Sequence, residues 1–60
     1  MEENVVYDVP EVAEFLKVST VTVERKLKNG EIQGKKVGAK WRILGSDVFS
    51  YLRSPNVDQG

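Results

Sequence analysis

Residues 18–30, VSTVTVERKLKNG, form the segment that the rest of the chain is predicted to support. Ser19 is predicted to cap the start of a helix, because its hydroxyl can accept a hydrogen bond from an unpaired amide of the first turn. Gly30 is predicted to end that helix, since glycine adopts the left-handed conformation without a steric penalty. Val23 and Leu27 lie four residues apart and form one narrow apolar stripe. The stretch therefore predicts a helix that buries only one side.

The opposite side of this helix is polar and basic. At about 100° per residue, the residues that point away from the stripe or flank it are Thr20, Val21, Thr22, Glu24, Arg25 and Lys28. On this stretch alone, an ordinary amphipathic helix with a solvated face is a better explanation of the pattern than a ligand-binding face. The remaining parts of the sequence are needed to distinguish a solvated face from a ligand-binding face.

A second helix is predicted just before this one. Asp8 and Glu11 have the spacing of a capping box, in which each side chain bonds the backbone amide of the other residue. Pro10 fits the first turn. The residues interpreted as its core-facing side are Val9, Val12, Phe15 and Leu16. The turn to the next helix is short, and Val18 is expected to tuck into the junction of a helix-turn-helix.

After Gly30 the hydrophobic pattern alternates instead of following a helical period. Residues 33–37 and 40–44 flank Gly38-Ala39, which predicts a β-hairpin. On its second strand Trp41 and Ile43 share one face, and Trp41 is interpreted as core packing rather than as a base-stacking residue.

The other face of the hairpin is predicted to be basic. Lys40 and Arg42 share it by alternation, and Lys36 is expected to join them from the first strand. Lys35 falls on the face of Val37, where its aliphatic stem could cover apolar surface while its amine reaches water or a phosphate. Charged two-stranded ribbons of this kind contact DNA backbones.

The flanks of the chain complete the prediction. Residues 5–7 form a short strand that could pair with a later one, and residues 1–4 are expected to be loose. Ser46 caps a last helix with Asp47 in its first turn, an inward stripe of Val48, Tyr51 and Leu52, and an end at Ser54-Pro55. We expect one domain over residues 1–60, with a folded core at about 5–54 and a flexible tail at 55–60.

The composition excludes several function classes. The 60 residues contain no cysteine and no histidine, which removes the usual zinc sites, nucleophilic triads and the commonest general base. Paired carboxylates such as Glu11 and Glu14 are interpreted as solvated. No apolar run approaches the ~20 residues of a membrane span. We therefore expect a cytoplasmic protein that is not an enzyme and needs no cofactor, metal or small-molecule ligand.

Charge is strongly segregated along the chain, although the formal net charge is zero. Residues 1–16 hold five acids and no base, whereas residues 17–42 hold eight bases against two acids, a local charge of +6. This separation of a basic region from an acidic one is the pattern expected when only one face of a protein contacts phosphates.

With the order helix, turn, helix, basic hairpin, helix in place, the chain resembles the excisionase-type winged helix-turn-helix domains of the mercury-resistance-regulator-like superfamily. The resemblance spans about residues 7–53. The motifs that carry it are Asp8–Leu16, Val18-Ser19, Thr22-Val23, Asn29–Ile32, Val37-Gly38, Trp41–Ile43 and Ser46-Asp47. It implies an α+β winged helix-turn-helix whose second helix enters the major groove, whose hairpin lies as a wing on the flanking backbone, and whose N-terminal strand lies beside the wing.

Two residues depart from the pattern of that family. Lys26 and Lys35 stand where apolar residues are frequent, and both are expected to add charge to the DNA-facing half. The larger regulators of the superfamily also carry a long dimerisation helix and an effector domain, which these 60 residues lack. The resemblance therefore favours a minimal architectural or recombination factor.

These observations predict sequence-preferring binding to double-stranded DNA, in site-specific recombination or in transcription regulation. The predicted base contacts are Thr20, Val21, Glu24 and Arg25, with Glu24 alternatively paired to Lys28 at i+4. The predicted phosphate contacts are Ser19, Lys28, Lys35, Lys36, Lys40 and Arg42. A recombinase, or another copy on an adjacent site, is a possible partner on DNA, and a DNA-bound protein would be nucleoid-associated. The alternative is a protein-interaction adaptor in which the acidic first helix and the wing dock a partner without DNA.

Overall fold

The structure of the chain is a computed structural model that describes residues 1–53. Its elements in order are β1 (Val6–Tyr7), α1 (Val9–Leu16), α2 (Thr20–Asn29), β2 (Lys35–Val37), β3 (Lys40–Leu44) and α3 (Gly45–Arg53). Three helices and a small antiparallel hairpin in this order form a winged helix-turn-helix, which confirms the predicted fold class. The predicted end of the last helix at Ser54-Pro55 and the predicted flexible tail lie outside the described residues.

Helix α1 begins with the predicted capping box. The Glu11 amide donates to Asp8 Oδ1 at 3.0 Å, and the Asp8 amide donates to Glu11 Oε1 at 3.0 Å. The helix ends at Lys17, which adopts the left-handed conformation at φ 60°, and the Val18 amide donates back to the Ala13 carbonyl at 3.0 Å. This tight ending brings the chain directly to the start of α2.

The three strands form one antiparallel sheet in the order β1-β3-β2. The two-residue loop Gly38-Ala39 places Val37 opposite Lys40, Lys36 opposite Trp41 and Lys35 opposite Arg42. Directly opposed residues of an antiparallel pair point to the same face. The prediction that Lys36 shares a face with Lys40 and Arg42 is therefore wrong, because Lys36 lies on the Trp41 side. Lys35 takes its place on the outer face.

One core joins all the helices and the sheet. Val12 of α1, Val23 of α2, Ile43 of β3 and Val48 of α3 are fully buried. The other buried residues are Val9, Ala13, Leu27 and Ile32, and the partly buried residues packed against them are Met1, Tyr7, Leu16, Trp41 and Tyr51. Burial of each such aliphatic side chain stabilises the fold by about 1.5–3 kcal/mol relative to its exposure.

Three residues predicted to be buried lie outside this core. Phe15 is 40% exposed and contacts Phe49 edge-on at 6.0 Å between ring centroids. Val18 in the turn is 39% exposed and does not tuck into the junction, and Leu52 of α3 is 48% exposed. A domain of this size has a small core, which accommodates only the most central apolar residue of each helix turn. Apolar side chains at the edge of each stripe therefore remain at the surface.

The N-terminal segment is not loose, and it replaces the predicted cap of α3. The amides of Gly45 and Ser46 donate to the carbonyls of Val5 and Glu3 at 2.9 and 3.0 Å. The Glu2 amide donates to the Tyr7 hydroxyl at 2.7 Å. Helix α3 therefore begins at Gly45, two residues before the Asp47 start that a Ser46 cap predicts. Its first amides are satisfied by a distant backbone rather than by the Ser46 side chain.

Candidate nucleic-acid interface

Helix α2 is held by caps at both ends and by a narrow buried side. The Thr22 amide donates to Ser19 Oγ at 3.2 Å, and Gly30 ends the helix at φ 82°. Val23 is fully buried and Leu27 is 6% exposed. Caps and buried side together fix which residues of α2 face outward.

The outward face of α2 carries all four predicted base-contact side chains, and each of them is exposed to solvent. Val21 is 68% exposed, and Thr20, Glu24, Arg25 and Lys28 are exposed as well. The alternative role of Glu24 as a partner of Lys28 is not formed, because the ion pair among residues 1–53 is Lys26–Glu31.

Thr22 differs from the prediction that it points away from the core. It is half-buried, and its hydroxyl lies 3.0 Å from Ser19 Oγ. Its side chain therefore belongs to the cap of the helix rather than to the outward face.

Lys26 is directed away from the outward face, contrary to the expected gain of charge there. Its side chain is 12% exposed, with Nζ 3.4 Å from Glu31 Oε1 and 5.4 Å from the centroid of the Tyr51 ring. The Tyr51 side chain, and to a smaller extent Glu31, raise the pKa of Lys26 above its ordinary value, against the opposing effect of desolvation. Lys26 thus links α2 to α3 through a cation–π contact.

The wing presents its cations on two faces. Lys35, Lys40 and Arg42 are exposed on the outer face of the sheet. Lys36 is also exposed, but its Nζ lies 6.0 Å from the centroid of the half-buried Trp41 ring on the inner face. Three of the predicted phosphate contacts are therefore grouped, and Lys36 is separated from them by the sheet.

A cleft of about 240 Å³ separates the outward side of α2 from the wing. Glu24 of α2 lines it together with Ala39, Lys40 and Trp41 of the hairpin. The structure therefore brings Glu24 and Lys40 to the same opening, although they belong to different predicted sets.

The start of α1 forms part of the same cleft through Asp8, Val9 and Pro10, which the sequence interpretation assigned only to capping and core. A capping box is a local pattern. It does not indicate which side of the molecule the start of the helix will face.

The sequence matches a family described as a helix-turn-helix domain over residues 6–55. The chain belongs to this helix-turn-helix family. Two proteins of Mycobacterium tuberculosis, from strains CDC 1551 / Oshkosh and ATCC 25618 / H37Rv, are similar to this helix-turn-helix chain. Each is 36% identical over 52 residues, which cover 87% of this chain and 67% of the relative. Each bears the name "Putative DNA-binding protein". No solved structure gives a significant match.

Residues 1–53 contain no group of three or more carboxylate, histidine or cysteine side chains placed to hold a metal ion. Within the same residues, no helix has the length and apolar character needed to span a membrane.

Proposed function

We propose that this helix-turn-helix domain binds double-stranded DNA with sequence preference, with α2 in the major groove and the hairpin on the flanking backbone. The observation that carries the proposal is the outward face of α2. Val21, Glu24 and Arg25 are exposed there, while the buried Val23 and Leu27 hold the opposite side against the core. An exposed valine between free charged side chains has no role in packing, and base edges in the major groove offer partners for all three.

Each proposed base contact suits a different chemical group. Arg25 can donate two hydrogen bonds to O6 and N7 of a guanine, Glu24 can accept from the N4 amine of a cytosine, and Val21 can contact a thymine methyl group. Thr20, at the first position of α2, can donate to or accept from either kind of edge.

The proposed phosphate contacts lie on both sides of this face, at Ser19, Lys28, Lys35, Lys36, Lys40 and Arg42. Lys35, Lys40 and Arg42 are favoured because they share the outer face of the wing, whereas Lys36 would have to reach round the sheet from the Trp41 side. With ~5 phosphates neutralised, the slope of log K against log[salt] should be about −4 to −5.

At the level of the cellular process, we propose an excisionase-like role in recombination, with a small transcription repressor as the second choice. The proposal rests on the resemblance of its motifs to those of excisionase-type winged helix-turn-helix domains. A recombination factor should bend its site and engage a recombinase or a further copy on adjacent DNA. Fluorescence energy transfer between dyes at the two ends of a selected duplex would rise on binding if the protein bends it.

The direct experiment is fluorescence anisotropy on a random-sequence duplex and then on a selected site, across a salt series. Arg25→Ala should weaken binding to the selected site by about 1–3 kcal/mol. Arg53→Ala is the matched control, because it removes the same side chain from the end of α3 and should have little effect. Absence of binding at low salt would contradict DNA binding and favour the adaptor alternative. Equal losses in the two variants would contradict the assignment of α2.

A further inference from the structure

The outer face of the sheet carries apolar side chains that contact with DNA does not explain. Val6 of β1 lies opposite Leu44 of β3, and Val37 of β2 lies opposite Lys40, so all of them point outward together. Val6 is 50% exposed, Val37 58% and Leu44 38%. We refer to Val6, Val37 and Leu44 as the outer floor.

The outer floor forms the base of an open groove of about 500 Å³. Lys35 and Arg42 lie directly opposite each other on neighbouring strands, and both line this groove together with the floor. Asp47, at the start of α3, is the acidic residue among those that line it. The groove thus combines an apolar base with an excess of positive charge.

We propose that this groove docks a short acidic segment of a partner protein, with apolar side chains on the outer floor and carboxylates paired with Lys35 and Arg42. The charge of the groove selects an acidic occupant, since both cations are exposed and carboxylates suit them. The floor selects a protein segment over nucleic acid. A DNA backbone would satisfy the two cations, but its phosphates and sugars would leave the valine and leucine side chains without apolar contact.

The groove and the proposed DNA interface share Lys35 and Arg42, so a partner and DNA would compete for these two cations. The groove runs along the outer face from Val37, beside the hairpin loop, to Leu44, which leads directly into α3. The inference goes beyond the proposed function and does not depend on DNA binding, because it rests on the floor and its two cations.

The first experiment uses a fluorescein-labelled peptide in which two leucines are flanked on each side by two aspartates. Its counterparts carry serines in place of the leucines, or lysines in place of the aspartates. Anisotropy titrations of the full chain should give a dissociation constant about ten-fold lower for the acidic leucine peptide than for either counterpart. Added salt should weaken this binding.

The second experiment separates the outer floor from the rest of the surface with matched variants. Val6→Ser should weaken peptide binding roughly five-fold or more. Val5→Ser is the control, because Val5 is one residue away and similarly exposed at 44%. Neither variant changes the charge of the chain, so both should keep the DNA affinity of the native chain. Arg42→Ala, in contrast, should lower the affinity for the peptide and for DNA. Leu44→Ser provides a second floor variant, with circular dichroism confirming that each variant is folded.

Several results would overturn the proposal. One is that the native chain does not bind the acidic leucine peptide. Another is that Val6→Ser and Val5→Ser bind this peptide with equal affinity. A loss of DNA affinity in Val6→Ser would assign the floor to the DNA interface instead. Self-association of the native chain that Val6→Ser abolishes, without peptide binding, would make a second copy the occupant. A chain that binds the peptide but no DNA would leave this inference standing and contradict the proposed function alone.

Discussion

Helices α1 and α2 complete their own ends, whereas α3 depends on a distant part of the chain. Asp8 and Ser19 cap the first two helices through hydrogen bonds to residues three positions ahead. The first amides of α3 instead donate to the carbonyls of Val5 and Glu3, about forty residues earlier in the sequence. The helix pair that carries the proposed DNA-binding face is therefore built from local interactions, and its support is built from long-range ones.

This difference has a consequence for stability. A local cap contributes about 1 kcal/mol, and its loss frays one helix end. A long-range contact closes the N-terminal segment, the sheet and α3 into one unit, so its loss affects several elements together. Damage to the α3 side should therefore reduce global stability more than damage to any single cap.

The largest effect is expected for Gly45→Ala. An added Cβ would collide with the Glu2 carbonyl oxygen and approach Glu3 Cα to 3.2 Å, which would displace the N-terminal segment and break both of its hydrogen bonds to α3. We expect a loss of roughly 2–4 kcal/mol in the free energy of unfolding, measured by urea denaturation.

Gly30→Ala is the control for this experiment. Its Cβ would meet no atom within 4 Å, and only its positive φ opposes alanine. The cost should be about 1 kcal/mol. Equal losses in the two variants would show that the N-terminal segment does not support α3.

A smaller effect is expected for Asp8→Ala. The change removes the side-chain acceptor of the capping box and should cost about 0.5–2 kcal/mol. Glu14→Ala is the matched control, since Glu14 is an exposed acid on the same helix and lies outside the box. Thermal unfolding of both variants would test the comparison, and a control that lost as much stability as Asp8→Ala would refute the role of the cap.

Lys17→Gly should stabilise the chain slightly. Lys17 is the non-glycine residue with a positive φ among those described, and a left-handed conformation costs most side chains about 1 kcal/mol. The expected gain is about 0.5–1 kcal/mol in urea denaturation. A loss of stability would show that the Lys17 side chain makes a contribution that outweighs its backbone conformation.

The smallest effect is expected for Lys26→Met, and it should depend on pH. Because folding raises the pKa of Lys26 above its ordinary 10.5, its contribution is present below that value and is lost as the pH rises through the folded-state pKa. Near pH 8, the free energy of unfolding of the native chain should exceed that of Lys26→Met by less than about 1 kcal/mol. This difference in stability should shrink above pH 10.5. A constant difference between these pH values would contradict the coupling.

Lys26→Met also tests the division between the two sides of α2. Lys26 faces α3 while its neighbour Arg25 faces solvent, so DNA affinity should survive Lys26→Met and fall in Arg25→Ala. A similar fall in both variants would show that the charge of the domain as a whole matters more than the outward face.

The features that sequence reasoning predicted are the ones decided within a few residues. The Asp8–Glu11 box, the caps at Ser19 and Gly30, and the two-residue hairpin loop are all local patterns, and the structure contains each of them. The predicted face of Lys36 is wrong because alternation along each strand alone does not relate the faces of the two strands. The two-residue loop sets that relation by pairing Lys36 with Trp41.

The features that sequence reasoning missed need a partner from elsewhere in the chain. The inward position of Lys26 depends on Tyr51, and the start of α3 depends on Val5 and Glu3. The outer floor likewise forms only when β1 pairs with β3. No local pattern specifies any of these contacts.

The most direct test of the proposed DNA-binding face is a titration of the isotope-labelled chain with a duplex, followed by amide chemical shifts in NMR spectra. We expect the largest shifts at Thr20, Val21, Glu24, Arg25 and Lys28 and at the hairpin tip, residues 38–40. Residues 1–5 and α3 should change little. Shifts concentrated on α3 and the N-terminal segment, with α2 unchanged, would contradict the placement of α2 in the DNA interface.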